Sequence, residues 1–134
     1  MRIVTWNVNG IRAVYKSGKL DWVFHAGYDV VCLQETKASP DQLPPELISP
    51  DGYQSYFAAC TVKKGYSGVV TYTRRTPDDN TIGMGMEAFD DEGRMVTTYF
   101  GDTVVSNVYF PNGGRGEERV RYKLAWQKWS VCER

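Results

Sequence analysis

Glu35 follows the run Val30-Val31-Cys32-Leu33-Gln34. A stretch without polar alternation fits a strand buried on both faces in the middle of an α/β sheet, so this carboxylate stands where the strand leaves the core. Asn7 follows a second β-rich stretch, Arg2 to Trp6, and the segment NVYFPNGGRG, 107–116, closes a third. In open α/β sheets, ligands gather outside the carboxyl ends of strands. Convergence of these three ends would offer a carboxylate, one or two amides, the Tyr109 hydroxyl and a glycine-rich lead into a helix whose free N–H groups face an anion. A hard cation such as Mg²⁺ takes oxygen ligands, usually one or two carboxylates plus water and phosphate oxygens, and Glu35 suits it. The same pattern suits an ion pair of Glu35 with Lys37, and the local sequence leaves both readings open. Asn9 reads as a turn residue bonding its own backbone. Tyr109, on pattern alone, reads as a core-edge aromatic with its hydroxyl in water.

Other chemistries find less support. His25 is the only histidine and sits among Phe24, Ala26 and Gly27 at a helix end. A Ser-His-Asp or Cys-His arrangement would have to run through it, and there is no G-x-S-x-G elbow. A P-loop is absent as well, and IGMGM, 82–86, is a weak glycine pair with no helix expected after it. Cys32, Cys60 and Cys132 are odd in number and far apart, which suits reduced structural thiols.

The elements that must position these groups follow from periodicity. After the turn Asn7-Val8-Asn9-Gly10, a helical stretch with an apolar face at Leu20, Trp22, Val23 and Phe24 stops at Gly27, giving a β-α-β opening. Four prolines between Ala38 and Gly52 mark a long surface loop with at most one helical turn, around Gln42 to Ile48. Strands are expected at Tyr53 to Ala58, Gly68 to Thr73, Thr81 to Met84, Met95 to Phe100 and Thr103 to Tyr109, with Gly101-Asp102 as a tight hairpin. From Gly116, the spacing of Tyr122, Ala125, Trp126 and Trp129 predicts a helix with one buried face.

The chain has 134 residues, 42% of them hydrophobic, enough for the core of one soluble domain. Sixteen basic and sixteen acidic residues cancel, so only local patches can argue for a polyanion partner. The apolar runs are of strand length and MRIVTWN has no signal-peptide pattern, so no membrane role is expected.

Four segments together, WNVNGIRA (6–13), DVVCLQETK (29–37), GYSGVV (65–70) and NVYFPNGGRGEERVRYK (107–123), resemble the exonuclease III and apurinic/apyrimidinic endonuclease family. DEGR, 91–94, matches too. The resemblance runs in order from Met1 to about Lys123 and implies an α/β fold, half of a four-layer α/β sandwich with mixed sheets and flanking helices. For this chain that half is expected as a single mixed β-sheet with flanking helices. The resemblance implies Mg²⁺-dependent (or Mn²⁺-dependent) phosphodiester hydrolysis in DNA, at abasic sites or 3′ ends, in the cytoplasm or, in a eukaryote, the nucleus. By resemblance Glu35 is a metal ligand supported by Lys37, and Asn7 and Tyr109 act at the scissile phosphate. Arg12, Tyr66, Arg94, Asn112 and Arg115 match DNA-contacting positions.

Members of the family are about twice as long, so residues 1–134 correspond to a truncated N-terminal half. The G-D-x-N segment, a further Asp and an Asp-His pair of the second half have no counterpart here. The closing KWSVCER also matches the family poorly. The isolated chain is therefore expected to be inactive or nearly so. One sheet face is expected to lie bare and to favour self-association. Two alternatives share the framework. The chain could be a DNA-binding or interaction module without catalysis, or it could act on an inositol phosphate, a sphingolipid head group or an RNA tail.

Overall fold

The computed structural model describes the backbone of residues 1–132 and the side chains up to Ser130, so the readings of the Cys132 thiol and of the Glu133-Arg134 end lie outside the described residues. Seven strands divide between two sheets. The first has the order β1 (Ile3–Asn7), β2 (Val30–Gln34), β4 (Val69–Thr73), β3 (Gln54–Ala58), with β1 and β2 parallel and the other pairs antiparallel. The second is antiparallel, β5 (Asp79–Ile82), β6 (Met95–Phe100) and β7 (Thr103–Val108), and the β6–β7 hairpin turns at Gly101-Asp102.

Every residue of β2 and β4 is buried because both faces of that sheet are covered. On one face, Val31, Leu33, Val70 and Tyr72 pack with Ile11, Leu20, Val23 and Leu47. Ile11 and Val23 come from the crossover helices α1 (Ile11–Lys16) and α2 (Asp21–His25), Leu20 from the residue just before α2, and Leu47 from α3 (Pro45–Ile48). On the other face, Val30 and Cys32 meet Phe100 and Val105, while Ala58 and Val69 meet Val96. The second sheet thus covers β2, β4 and the end of β3, so the face expected to lie bare is covered there, while Ile3, Thr5 and Asn7 of β1 stay exposed. A short helix α4 (Glu87–Asp90) follows β5, and α5 (Glu117–Cys132) flanks the outer face of the second sheet, where Trp129 and Ser130 share a groove of about 1000 Å³ with Met95, Thr97 and Ser106. The result is an α/β sandwich. No described helix is long and apolar enough to cross a membrane.

Several boundaries move for local reasons. The first helical stretch is two helices, because Gly18 takes φ +74 between them. In the proline-rich loop an additional 3-10 turn, Pro40–Gln42, forms on a capping box of Ser39 and Gln42. β5 ends two residues early because Gly83 turns out of the strand at φ +81 and the Asp90 carboxylate accepts the amides of Met84, Gly85 and Met86 at 2.8–2.9 Å. A short helix does follow IGMGM, and the glycines serve this local capture.

One side chain ties the sheets together beneath the strand ends. Asn107 is 2% exposed and donates Nδ2–H to Val70 O at 2.8 Å, while its Oδ1 accepts Gln34 Nε2 at 2.7 Å. Gln34 Nε2 also reaches Thr5 Oγ1 at 2.9 Å. Asn107→Leu leaves buried groups of the first sheet, at Gln34 and Val70, without this partner, each costing about 1–3 kcal/mol. Urea unfolding should therefore show a loss of about 2–4 kcal/mol.

Candidate active site

The loops leaving β1, β2 and entering β4 are clasped by their own backbones. Val8 N donates to Gln34 O at 3.0 Å, Gly10 N to Glu35 O at 2.7 Å and Ile11 N to Thr36 O at 3.0 Å. On the other side Thr36 N donates to Gly68 O at 3.1 Å and Lys37 N to Ser67 O at 2.8 Å. Within this clasp Asn9, Glu35, Lys37 and Ser67 all take left-handed backbone, at φ 46, 52, 53 and 53. Such conformations cost a non-glycine residue about 1 kcal/mol or more, and they persist where the surroundings over-determine them.

The clasp turns Glu35 toward Asn7. Asn7 Nδ2 donates to Glu35 Oε1 at 3.0 Å, and Asn7 Oδ1 accepts Asn9 N at 3.1 Å. Lys37 Nζ donates to Asn9 Oδ1 at 2.5 Å and lies 3.7 Å from Glu35 Oε2. Burial by itself would raise the Glu35 pKa, but hydrogen bonds from Asn7 and Tyr109 and the Lys37 charge hold it below the usual carboxylate range. Burial, reinforced by Glu35, pushes the Tyr109 hydroxyl up to about 12. At neutral pH Glu35 is an acceptor and Tyr109 a donor. Tyr109 is half-buried, and its hydroxyl lies close enough to Glu35 for each to shift the other's titration. The Glu35–Lys37 ion pair exists, yet at 3.7 Å with both side chains partly exposed it contributes little.

Arg94, matched above to a DNA-contacting position, is only 2% exposed. That expectation is corrected, since its guanidinium faces inward. Nη1 donates to Tyr109 O at 3.2 Å, and Nη2 donates to Tyr66 Oη at 3.2 Å and to Glu92 Oε1 at 3.1 Å. Arg119 Nη2 also reaches Glu92, at 2.8 Å, and Tyr66 Oη at 3.3 Å. Sequence reading missed Glu92 and Arg119. Their signals were the acid two residues before Arg94 and the first-turn arginine of the final helix. Arg12 is exposed and donates to Lys37 O at 3.1 Å, which ties it to the Glu35 loop. Asn112 and Arg115 lie exposed on the β7–α5 loop, where Asn112 Oδ1 accepts Gly114 N at 2.8 Å. Among the described residues these two make no hydrogen bond to the Glu35 group.

Burial would raise the Glu92 pKa, but Arg119 and Arg94 pull it below the ordinary glutamate value. A carboxylate with a depressed folded-state pKa stabilises the fold above its unfolded pKa, about 4.3, and loses that contribution as pH falls through the folded value. Urea unfolding followed from pH 6 to 3 should show stability falling below about pH 4.3, with a shallower fall in Glu92→Gln.

Among the described residues, no three His, Cys, Asp or Glu side chains gather closely enough to hold a metal by themselves. One carboxylate with a neighbouring amide oxygen fits Mg²⁺, which keeps waters and substrate phosphate oxygens as ligands, better than it fits the four-ligand cage of structural Zn²⁺.

The Endonuclease/Exonuclease/phosphatase family model matches residues 4–131. The chain belongs to this family. Among its similar members, the DNA repair nuclease APEX1 of Danio rerio is 40% identical over 127 residues, which cover 94% of this chain and 41% of that protein. The exodeoxyribonuclease of Bacillus subtilis is 39% identical over 129 residues, covering 96% of this chain and 50% of that one. In three dimensions the 3′ phosphatase NExo from Neisseria, bound to a product DNA hairpin, superposes with a TM-score of 0.81 at 26% identity, over 97% of this chain and 49% of that chain. The chain spans about half the length of the relatives it matches.

Proposed function

We propose that the Glu35 cluster is this chain's contribution to a Mg²⁺-dependent (or Mn²⁺-dependent) DNA phosphodiester hydrolase of the base-excision repair type, acting at abasic sites or 3′ ends. The observation that carries the reading is the convergence of an ionised Glu35, the Asn7 amide and a protonated Tyr109 hydroxyl at neighbouring strand ends. Glu35 would hold the ion, with the Asn7 amide beside it. A bound divalent ion neutralises phosphodiester charge and stabilises the charge that develops in the reaction. Tyr109 donates a hydrogen bond toward the phosphate, and Lys37 keeps the carboxylate oriented. The exposed Arg12, Asn112 and Arg115 face solvent where a DNA backbone could pass. Relatives named as a DNA repair nuclease and an exodeoxyribonuclease, and a neighbour holding a DNA hairpin, support a DNA substrate. Such work belongs in the cytoplasm or the nucleus.

A site with one carboxylate in hand binds Mg²⁺ weakly, so the 134-residue chain alone is expected to cleave slowly or not at all. The test is incision of an abasic-site duplex with Mg²⁺, Mn²⁺ or EDTA, by the chain alone and with the second half of a family relative added. EDTA-sensitive incision in either arm supports the reading. Salt-dependent duplex binding without incision in both arms replaces it with a DNA-binding module.

A further inference from the structure

Glu92 lies outside the cluster just described, yet it is 5% exposed, ionised, and held by two arginines. Only a paired carboxylate survives such burial. Its partners lead to both tyrosines near the site. Arg94, fixed on Glu92, donates to Tyr109 O and stacks over the Tyr109 ring with 5.1 Å from guanidinium to centroid. Arg119, fixed on the same carboxylate, shares the Tyr66 hydroxyl with Arg94. The backbone repeats the connection. Gly68 N donates to Gly93 O at 3.0 Å, next to the Glu35 clasp, and Tyr109 N donates to Arg94 O at 2.9 Å. Residues 92–94 therefore bridge the Glu35 loop and Tyr109 by main chain and side chain together.

We infer that Glu92 is a positioning residue of the phosphate site: through Arg94 and Arg119 its carboxylate fixes where Tyr109 and Tyr66 stand relative to Glu35. The role in catalysis rests on the nuclease reading above, whereas the placement of the two tyrosines does not. Without the carboxylate, two guanidiniums are left facing each other in a buried space, and like charges separate. Arg94 then leaves the Tyr109 ring, and the hydroxyl drifts from the carboxylate it serves. Groups that orient reacting residues in this way typically cost 10–100-fold in activity when removed.

The test labels the full chain with 3-fluorotyrosine and records fluorine NMR spectra, with Tyr66→Phe and Tyr109→Phe assigning the two signals. In Glu92→Gln the Tyr66 and Tyr109 signals should shift or split, while those of Tyr53 and Tyr72, in the helix-side core, stay in place. A general loosening of the fold would move all four. Should Glu92→Gln fail to fold, Arg119→Gln removes the half-exposed end of the unit and should displace the Tyr66 signal first. Unmoved Tyr66 and Tyr109 signals in a folded variant overturn the inference. Where incision is measurable, Glu92→Gln should lower kcat about 10–100-fold and leave KM nearly unchanged. Failure of the nuclease reading shows separately, as no EDTA-sensitive incision by the unmodified chain either alone or with the second half of a relative added.

Discussion

Glu35→Gln is expected to lower Mg²⁺-dependent incision by about 10²–10³-fold or more, the scale seen when a group acting directly on transition-state charge is removed. Glutamine keeps the size of the side chain and a hydrogen bond to Asn7, but it cannot supply the negative charge that draws a divalent ion. The loss should appear in kcat and should not be recovered by changing the DNA. Stability should move by less than about 1 kcal/mol, because the side chain is 22% exposed at a strand end and its contact with Lys37 is long. Comparing incision with urea unfolding of the same preparation separates the two effects. With the second half of a family relative added so that incision is measurable, incision equal to that of the unmodified chain removes Glu35 from the mechanism.

Gly93→Ala carries the largest stability effect we expect, about 3–5 kcal/mol. Gly93 holds φ +63, and an added Cβ would meet Ala59 C, Ala58 O at 2.6 Å and Cys60 N at 2.7 Å. These are backbone atoms, so no rotamer change can make room. Relief requires the loop after β3 to move away from the segment that carries Glu92 and Arg94, so the site should loosen along with the fold. Gly101→Ala is the internal control. Its φ is +59, but an added Cβ meets nothing within 4 Å, so only the backbone term of about 1 kcal/mol remains. Similar losses in the two variants would mean that the crowding around Gly93 relaxes freely.

The sequence made some of this visible because the signal was local. The unbroken apolar run of β2 announced burial on both faces, and the polar residues following β1 and β2 marked the ligand end of the sheet. The final helix was equally plain, but of its expected buried face only Trp126 is fully buried and Tyr122 half-buried, while Ala125 and Trp129 are exposed. The division of seven strands between two sheets was not visible, because β2–β4 and β3–β4 pairing reads the same in sequence as a continuous meander. Asn107 sits within a motif that draws attention to Tyr109, and its role exists only once Val70 and Gln34 stand opposite it. Arg94 looked like a surface cation for the same reason. What buries it is Glu92 in company with Arg119, which lies 25 positions further along the chain. Even the end of β5 depended on Asp90 reaching back to the amides of residues 84–86.

The four left-handed non-glycine residues of the clasp have a consequence for anyone improving this protein. Glycine would relieve the steric penalty at Asn9, Glu35, Lys37 or Ser67, and a screen that scores thermal tolerance alone would find its easiest gains there. Each such gain would delete a side chain that bonds Asn7, Asn9, Lys37 or Gly93. Heat resistance and chemistry therefore compete for the same few positions, and laboratory evolution of this fold would have to select for both at once.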